Sequence, residues 1–185
     1  MIQADNKPIF LIGSGGHASV LEEIISLTDK KLIGILDPNR KPGEKCLNSV
    51  VLGGDELIDE YLPKDVSLIN GVGTLPGNNK RFEISKKYRE KGFSFSTVIH
   101  PSAILSAEVE IEEGVQIMAG ATIQRNVKIG KDSIINSNSS IDHDCLVGES
   151  VHISEAVPKA AEALKLTAEE CLKLNIIDEI ISEIA

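Results

Sequence analysis

Aromatic side chains are nearly missing from this chain: four Phe, two Tyr and no Trp in 185 residues. Long solenoids built on Ile, Val and Ala ladders fit that scarcity, since they fill their interior without large rings. A basic patch is missing too. The net charge is −9, and no Lys/Arg run is available to neutralise phosphates, which excludes a nucleic-acid-binding role. The imbalance is local: residues 1–99 carry 13 basic and 13 acidic side chains, residues 100–185 carry 6 and 15. No apolar run approaches the ~18 residues that span a bilayer. Met1-Ile2-Gln3-Ala4-Asp5 has neither the basic nor the apolar region of a signal peptide. Cys46, Cys145 and Cys171 are odd in number and lack metal-ligand spacing, so a reduced, cytoplasmic chain without a metal is expected.

What is present is a repeat. Leu105, Ile111, Ile117, Ile123, Ile129, Ile135, Ile141, Val147 and Ile153 fall at every sixth position. Two places before each stands a small or β-branched residue: Ala103, Val109, Val115, Ala121, Val127, Ser133, Ser139, Cys145 and Val151. A period of six matches neither a helix nor a simple strand alternation. It marks a parallel β-helix, in which one aliphatic residue per hexad points into the coil and the flanking small residue packs beside it. The pattern stops at Lys159, after Val157-Pro158, where Ala160-Ala161-Glu162-Ala163-Leu164 are helix formers. The hexads therefore supply about three coils, near the least that is stable.

The first half reads differently. Pro8–Ile12 is a short apolar run ending in Gly13-Ser14-Gly15-Gly16-His17, followed by a helical pattern with Val20, Leu21, Ile24, Ile25 and Leu27 apolar. Lys31–Leu36 is a second strand ending in Asp37. Strand, glycine turn, helix, strand and terminal acid make a βαβ unit of nucleotide-binding type. Glycines let the backbone approach a phosphate, and the helix N-terminus offers free N–H groups. Asp37 is placed to accept hydrogen bonds from ribose hydroxyls or a base edge. The turn lacks the later glycine of the dinucleotide fingerprint, so a tight turn with no ligand stays open as the alternative. Further strands are expected at Ser49–Gly53, Val66–Gly73 and Phe93–Ile99, and a helix over Asn79–Lys91 with Phe82, Ile84 and Tyr88 on its apolar side. The Gly71-Val72-Gly73 turn then lies at a strand C-terminus, where open α/β sheets bind ligands.

The glycine turn, His100-Pro101-Ser102-Ala103, and the hexads interrupted by Asn136-Ser137-Asn138-Ser139-Ser140-Ile141-Asp142-His143-Asp144 together resemble one family over residues 8–154. It is the sugar acyltransferases of the sialic acid O-acetyltransferase type, with the bacillosamine-pathway and perosamine N-acetyltransferases. The resemblance implies an α/β nucleotide-binding domain over 1–99, with a small parallel sheet. A short left-handed parallel β-helix follows over 100–157, then a helical tail over 158–185. It further implies a homotrimer with sites between subunits, acetyl-CoA as co-substrate, no metal, and a sugar nucleotide as partner. By the same resemblance His143 is the catalytic base and Asp144 its orienting acid. Gly13, Ser14, Gly15, Gly16, His17, Asp37 and Gly73 bind the sugar nucleotide, Asn136 lies near the acceptor sugar, and His152 lies near CoA. The chemistry suits these residue types. An amine or hydroxyl loses a proton as it attacks the thioester, and histidine, with a reference pKa of ~6.5, accepts it near neutral pH.

The end of the chain departs from that family. Further coils are expected after His152-Ile153-Ser154, yet the sequence gives Glu155-Ala156-Val157-Pro158 and then helix formers, with a capping box at Thr167-Ala168-Glu169-Glu170. Residues 159–183 are similar to a C-terminal segment of the acetyl-CoA carboxylase carboxyltransferase α subunit, without that enzyme's catalytic apparatus. The leading expectation is acetyl transfer from acetyl-CoA to the amine or hydroxyl of a nucleotide-activated amino sugar or sialic acid. The alternatives are a sugar-nucleotide-binding protein with a truncated, inactive β-helix, and a purely structural scaffold. Nitrogen and oxygen acceptors use the same base and thioester, so the residues do not separate them.

Overall fold

Strand β1 (Ile9–Ile12) is buried at all four positions because it is an interior strand of a sheet covered on both faces. A computed structural model describes residues 7–46, 48–74 and 77–154 of the chain. Strand β1 leads through the glycine turn into helix α1 (Gly16–Ser26), then β2 (Leu32–Leu36), β3 (Lys45–Cys46), β4 (Ser49–Gly53), a 3-10 turn at Asp55–Glu60 and β5 (Ser67–Asn70). The sheet order is β3-β4-β2-β1-β5. Strands β4, β2, β1 and β5 are parallel, and β3 adds a short antiparallel edge that the hydrophobic pattern did not announce. The chain winds to one side of β1 through β2 and to the other through β5. The C-terminal ends of β1 and β5 therefore flank the switch point at which such sheets open a crevice.

Helix α1 buries Leu21, Ile24 and Ile25 and leaves Val20 and Leu27 exposed. Helix α2 (Lys80–Glu90) differs from its expected polarity. Its buried face is Arg81, Ser85 and Tyr88, while Phe82 is 53% exposed. The reason is what α2 faces. Arg81 donates to the backbone carbonyls of Asn70 and Val72, each at 2.8 Å, and to that of Asp132 at 3.3 Å. Cations rather than rings satisfy the carbonyls gathered there.

From Val98 onward the chain coils. Nine further two-residue strands, β7 (Ile104–Leu105) through β15 (His152–Ile153), follow β6 (Val98–Ile99) at six-residue intervals. They stack in three parallel sheets, β7-β10-β13, β8-β11-β14 and β6-β9-β12-β15, whose paired residues are 18 apart in sequence. Ile99 belongs to the inward ladder one hexad before Leu105, and the expected strand at Phe93–Ile99 shrinks to β6 and a single bridge from Phe95 to Leu68. Ladder positions Ile117, Ile123, Ile129 and Ile135 are at most 1% exposed. Leu105, Ile111 and Ile153, at the two ends, are only partly buried.

The corners explain the rest of the hexad. Gly114, Gly120, Asn126, Asp132, Asn138, Asp144 and Ser150 all have φ between 56° and 75° and recur every six residues. Only glycine, or a short polar residue that can bond locally, tolerates that region. At Gly114 a Cβ would lie 2.5 Å from Asp132 Oδ1, so this corner needs glycine twice over. Cys145 was expected to pack as a flanking residue, but it is exposed. It stands one coil above the fully buried Val127, and among the described residues no coil lies on top of it. The expected tail over 158–185, with its capping box at Thr167, lies outside the described residues.

The α/β portion and the coils share one core. Val98, Met118 and Ile134 of the β-helix cluster with Leu21, Ile24 and Ile25 of α1. Beside this cluster Arg89 of α2 forms a bidentate pair with Asp132, whose side chain is 6% exposed, and lies 4.9 Å above the Phe95 ring. Asp132→Asn keeps the left-handed corner and removes the charge. It is expected to cost about 1–3 kcal/mol, less than the loss of a fully buried pair because Arg89 is partly exposed. Denaturant unfolding that matches the parent would show that the pair does not fasten the two portions.

Candidate functional site

A cavity of about 540 Å³ opens at the switch point, between the ends of β1, β2 and β5. Gly13 turns the chain there with φ of 85°, and its N–H donates to Leu36 O at 2.8 Å. Gly15 and Gly16 serve differently: a Cβ at either would meet nothing within 4 Å, so their lack of side chains leaves space for a ligand to reach the backbone. The first N–H groups of α1 have no carbonyl in the helix and no side-chain cap, which makes this end receptive to an anion. Gly71 is tighter, since a Cβ there would lie 2.6 Å from Ile12 O. That contact lets β5 end against β1 and brings Gly73 and Thr74 to the cavity wall.

Asp37 forms the far side. Ser14 Oγ donates to one carboxylate oxygen, and the N–H and side-chain amide of Asn39 donate to the other at 2.9 and 3.2 Å. Arg40 Nε donates to Ser14 Oγ at 2.9 Å, completing a relay. Burial opposes ionisation of Asp37, but the bonds from Ser14 and Asn39 and the charge of Arg40 overcome it and hold the carboxyl below its usual value. An ionised acceptor is thus fixed where a ribose or base donor is expected to arrive.

His17 closes the third side and ties the cavity to the coils. Gln116 of β9 (Gln116–Ile117), 0% exposed, donates from Nε2 to the carbonyl of Asn70 at 2.9 Å. A carbonyl only accepts, so Gln116 must present Oε1 to His17, and the imidazole donates from Nε2 at 2.7 Å. Burial, followed by the like charges of Arg81 and His152, pushes the His17 pKa below the ordinary value against the opposing Gln116 bond. The ring is therefore neutral with the proton on Nε2.

The remaining expected residues lie elsewhere. His143 and Asp144 follow β13 (Ser140–Ile141) at the edge between the β13 and β14 sheets, opposite the sheet that carries Gln116. His143 Nδ1 donates to Asp144 Oδ2 at 2.6 Å, which leaves Nε2 free. Asp144 also accepts from Asn126 at 2.9 Å, and this bond and the one from His143 hold its carboxyl below the usual value. His152 stands on the Gln116 sheet, two coils above it, with its pKa lowered by burial and by Arg81. Asn136 is half-buried at the end of β12 (Ile134–Ile135) and does not line the cavity. The single chain thus gathers Gly13 through His17, Asp37 and Gly73 around the cavity, keeps His143, Asp144 and Asn136 away from its lining, and leaves His152 outside the lining but near enough for its charge to act on His17. Gln116, Arg81 and Arg40 escaped the sequence reading. The one available signal was Gln116, a polar residue in an otherwise apolar hexad.

Comparison with known proteins gives the same two-part division. The PglD N-terminal domain matches residues 8–88, and the bacterial transferase hexapeptide (six repeats) matches residues 108–143. UDP-N-acetylbacillosamine N-acetyltransferase of Bacillus subtilis (strain 168) is 33% identical over 116 residues, 61% of this chain and 52% of that protein. The chain therefore spans about half the length of that curated relative. The acetyltransferase domain of PglB from Neisseria gonorrhoeae FA1090, in complex with acetyl coenzyme A, superposes with a TM-score of 0.71 at 31% identity. That match covers 82% of this chain and 72% of that one. A variant of perosamine N-acetyltransferase from Caulobacter crescentus with one histidine replaced by asparagine, in complex with CoA and GDP-perosamine, gives a TM-score of 0.69 at 34% identity, with coverages of 78% of this chain and 67% of that one. The coils are accordingly the left-handed parallel β-helix of the hexapeptide-repeat transferases. No helix among the described residues is long and apolar enough to cross a membrane, and they contain no metal-binding cluster.

Proposed function

The chain belongs to the hexapeptide-repeat acetyltransferases of the PglB and perosamine type, and from that premise we propose that it moves an acetyl group from acetyl-CoA to the amine of a nucleotide-activated sugar. The observation that carries this reading is the cavity at the switch point. There the uncapped α1 N-terminus, the substituent-free Gly15 and Gly16 and the ionised Asp37 fit a diphosphate and a nucleoside together. In this reading the sugar nucleotide lies in the cavity, with its amine directed toward a histidine base.

The base is His143. Its Nδ1–H is held by Asp144, so Nε2 takes the proton as the amine attacks the thioester carbonyl. The new C–N bond forms, the C–S bond breaks, and the imidazolium returns a proton to the departing CoA thiolate. The Asp144 carboxylate stabilises the cation meanwhile. His143 and the cavity face opposite sides of one prism, so the reading includes a second copy of the chain that brings its own His143 to this cavity. A homotrimer with shared sites meets that requirement, with Asn136 and His152 beside the acceptor sugar and CoA. An amine acceptor is preferred to a hydroxyl because both enzymes named above transfer to nitrogen.

Calorimetric titration separates this reading from its rival. Saturable binding of both UDP-N-acetylbacillosamine and acetyl-CoA, followed by release of free CoA when the two are mixed, is the expected result. Binding of the sugar nucleotide alone would identify a binding protein that has lost the donor half of the site.

A further inference from the structure

The His143–Asp144 pair stands on a second polar layer one coil below, at positions 18 residues earlier. Gln124 Nε2 donates to Asp142 Oδ1 at 3.1 Å, and Asn126 Nδ2 donates to Asp144 Oδ1 at 2.9 Å. Arg125, beneath His143, is turned away and engaged by Glu108 through Nε and Nη2. Asn126 therefore supplies the one bond from below to the carboxylate that holds the histidine. Among the described residues each Asp144 oxygen has a single, different partner: Oδ1 takes the Asn126 amide and Oδ2 takes the imidazole Nδ1–H.

The backbone explains why this residue type suits both demands. Position 126 is a corner with φ of 57°, as is position 144 with φ of 60°. Glycine, Asn and Asp tolerate that conformation, and of these three only Asn offers an N–H donor to a carboxylate. An aspartate at 126 would fit the corner and repel Asp144; a glycine would fit and leave Oδ1 unpaired. The other corners of the repeat do not supply this arrangement. Gly120 lies below Asn138 and Gly114 below Asp132, with no side chain to donate.

We propose that Asn126 is a positioning residue for acetyl transfer, fixing Asp144 so that His143 keeps its proton on Nδ1 and its lone pair on Nε2. This rests on the reading of His143 as the base. The charged groups facing the pair are Glu108 and Arg125 from the coil below and Asp142 on its own turn, and none of them bonds to the imidazole. The Asn126 bond is also the first cause of the lowered Asp144 pKa, which keeps the orienting group ionised at neutral pH.

The test uses the full chain with acetyl-CoA and UDP-N-acetylbacillosamine or GDP-perosamine, following CoA release across pH, and compares Asn126→Asp, Asn126→Gly and His143→Ala. Both corner-compatible variants are expected to keep the parent melting temperature and KM values while kcat falls about tenfold. In Asn126→Asp the added carboxylate stabilises the imidazolium. The acid limb of the pH–rate profile should then move to higher pH, and the His143 ring should titrate higher by NMR in the same protein. A residue that merely holds the corner would leave kcat, limb and titration in place in both variants, since Asp and Gly keep the corner. Unchanged kcat and limb in both Asn126 variants, with His143→Ala inactive, overturns the positioning role alone. Full activity in His143→Ala overturns the base assignment and this role with it.

Discussion

His143→Ala is expected to lower acetyl transfer by about 10²–10⁴-fold, the range general-base catalysis supplies, without weakening sugar-nucleotide binding. The structure separates the two effects. The imidazole is 69% exposed in the single chain, and its one hydrogen bond among the described residues goes to Asp144, so its removal leaves no cavity and no buried orphan there. In the shared site the neighbouring copy's imidazole meets the amine, while the nucleotide is held by the cavity's own residues, so titration with UDP-N-acetylbacillosamine should give close to the parent affinity. Asp144→Asn is the informative companion. An amide in place of the carboxylate can donate to Nδ1 and favours the tautomer with the proton on Nε2, which disables the base while leaving it in place. Its rate should approach that of His143→Ala. A His143→Ala enzyme with parent kcat would remove this histidine from the chemistry.

Much of this arrangement is legible in the sequence, for a physical reason. The inward ladder and its flanking small residues answer to a local, periodic demand, since each coil must place the same kind of side chain at the same point. A period of six therefore survives in Leu105 through Ile153. The glycine turn and Asp37 are legible as neighbours because a strand, a turn with φ of 85° at Gly13 and a returning parallel strand bring their ends to one side of the sheet. The corners were equally periodic, but they alternate among Gly, Asn, Asp and Ser, so residue identity hides a shared backbone conformation.

The contacts that join the two portions left no such trace. His17 meets Gln116 across 99 residues, and Arg81 meets the Asp132 carbonyl across 51. Neither partner occupies a position that its own segment requires to be polar. Phe82 misled for the complementary reason. An aromatic in a helical pattern implies an apolar face, yet the face α2 buries must satisfy carbonyls, and Arg81 with Ser85 replaced it inside. Cys145 sits in the right hexad position, but burial there requires a coil above, which is a property of the stack and not of the hexad.

Two inactive variants should restore each other when combined, and this is the most demanding consequence of the geometry. Gly15→Leu would project a side chain into the cavity without touching the protein, because a Cβ there meets nothing within 4 Å. It should block the sugar nucleotide and leave His143 intact; His143→Ala does the reverse. If a site is built from the cavity of one copy and the His143 edge of the next, co-expression of differently tagged variants places an intact cavity beside an intact base in some interfaces. Random assembly of a cyclic trimer makes that fraction about a quarter of all sites, and about a third of the sites once homotypic trimers are purified away, so mixed trimers should recover about a third of parent activity. If each chain instead used its own His143, every site would carry one lesion and the mixture would stay as inactive as its components. The folded chain favours recovery. The sheet β6-β9-β12-β15 bears Gln116, which hydrogen-bonds the cavity residue His17, whereas His143 lies on the edge shared by the other two sheets. No rotation of the His143 side chain carries it around the prism, so under the proposed reading its imidazole serves a substrate that a second copy presents.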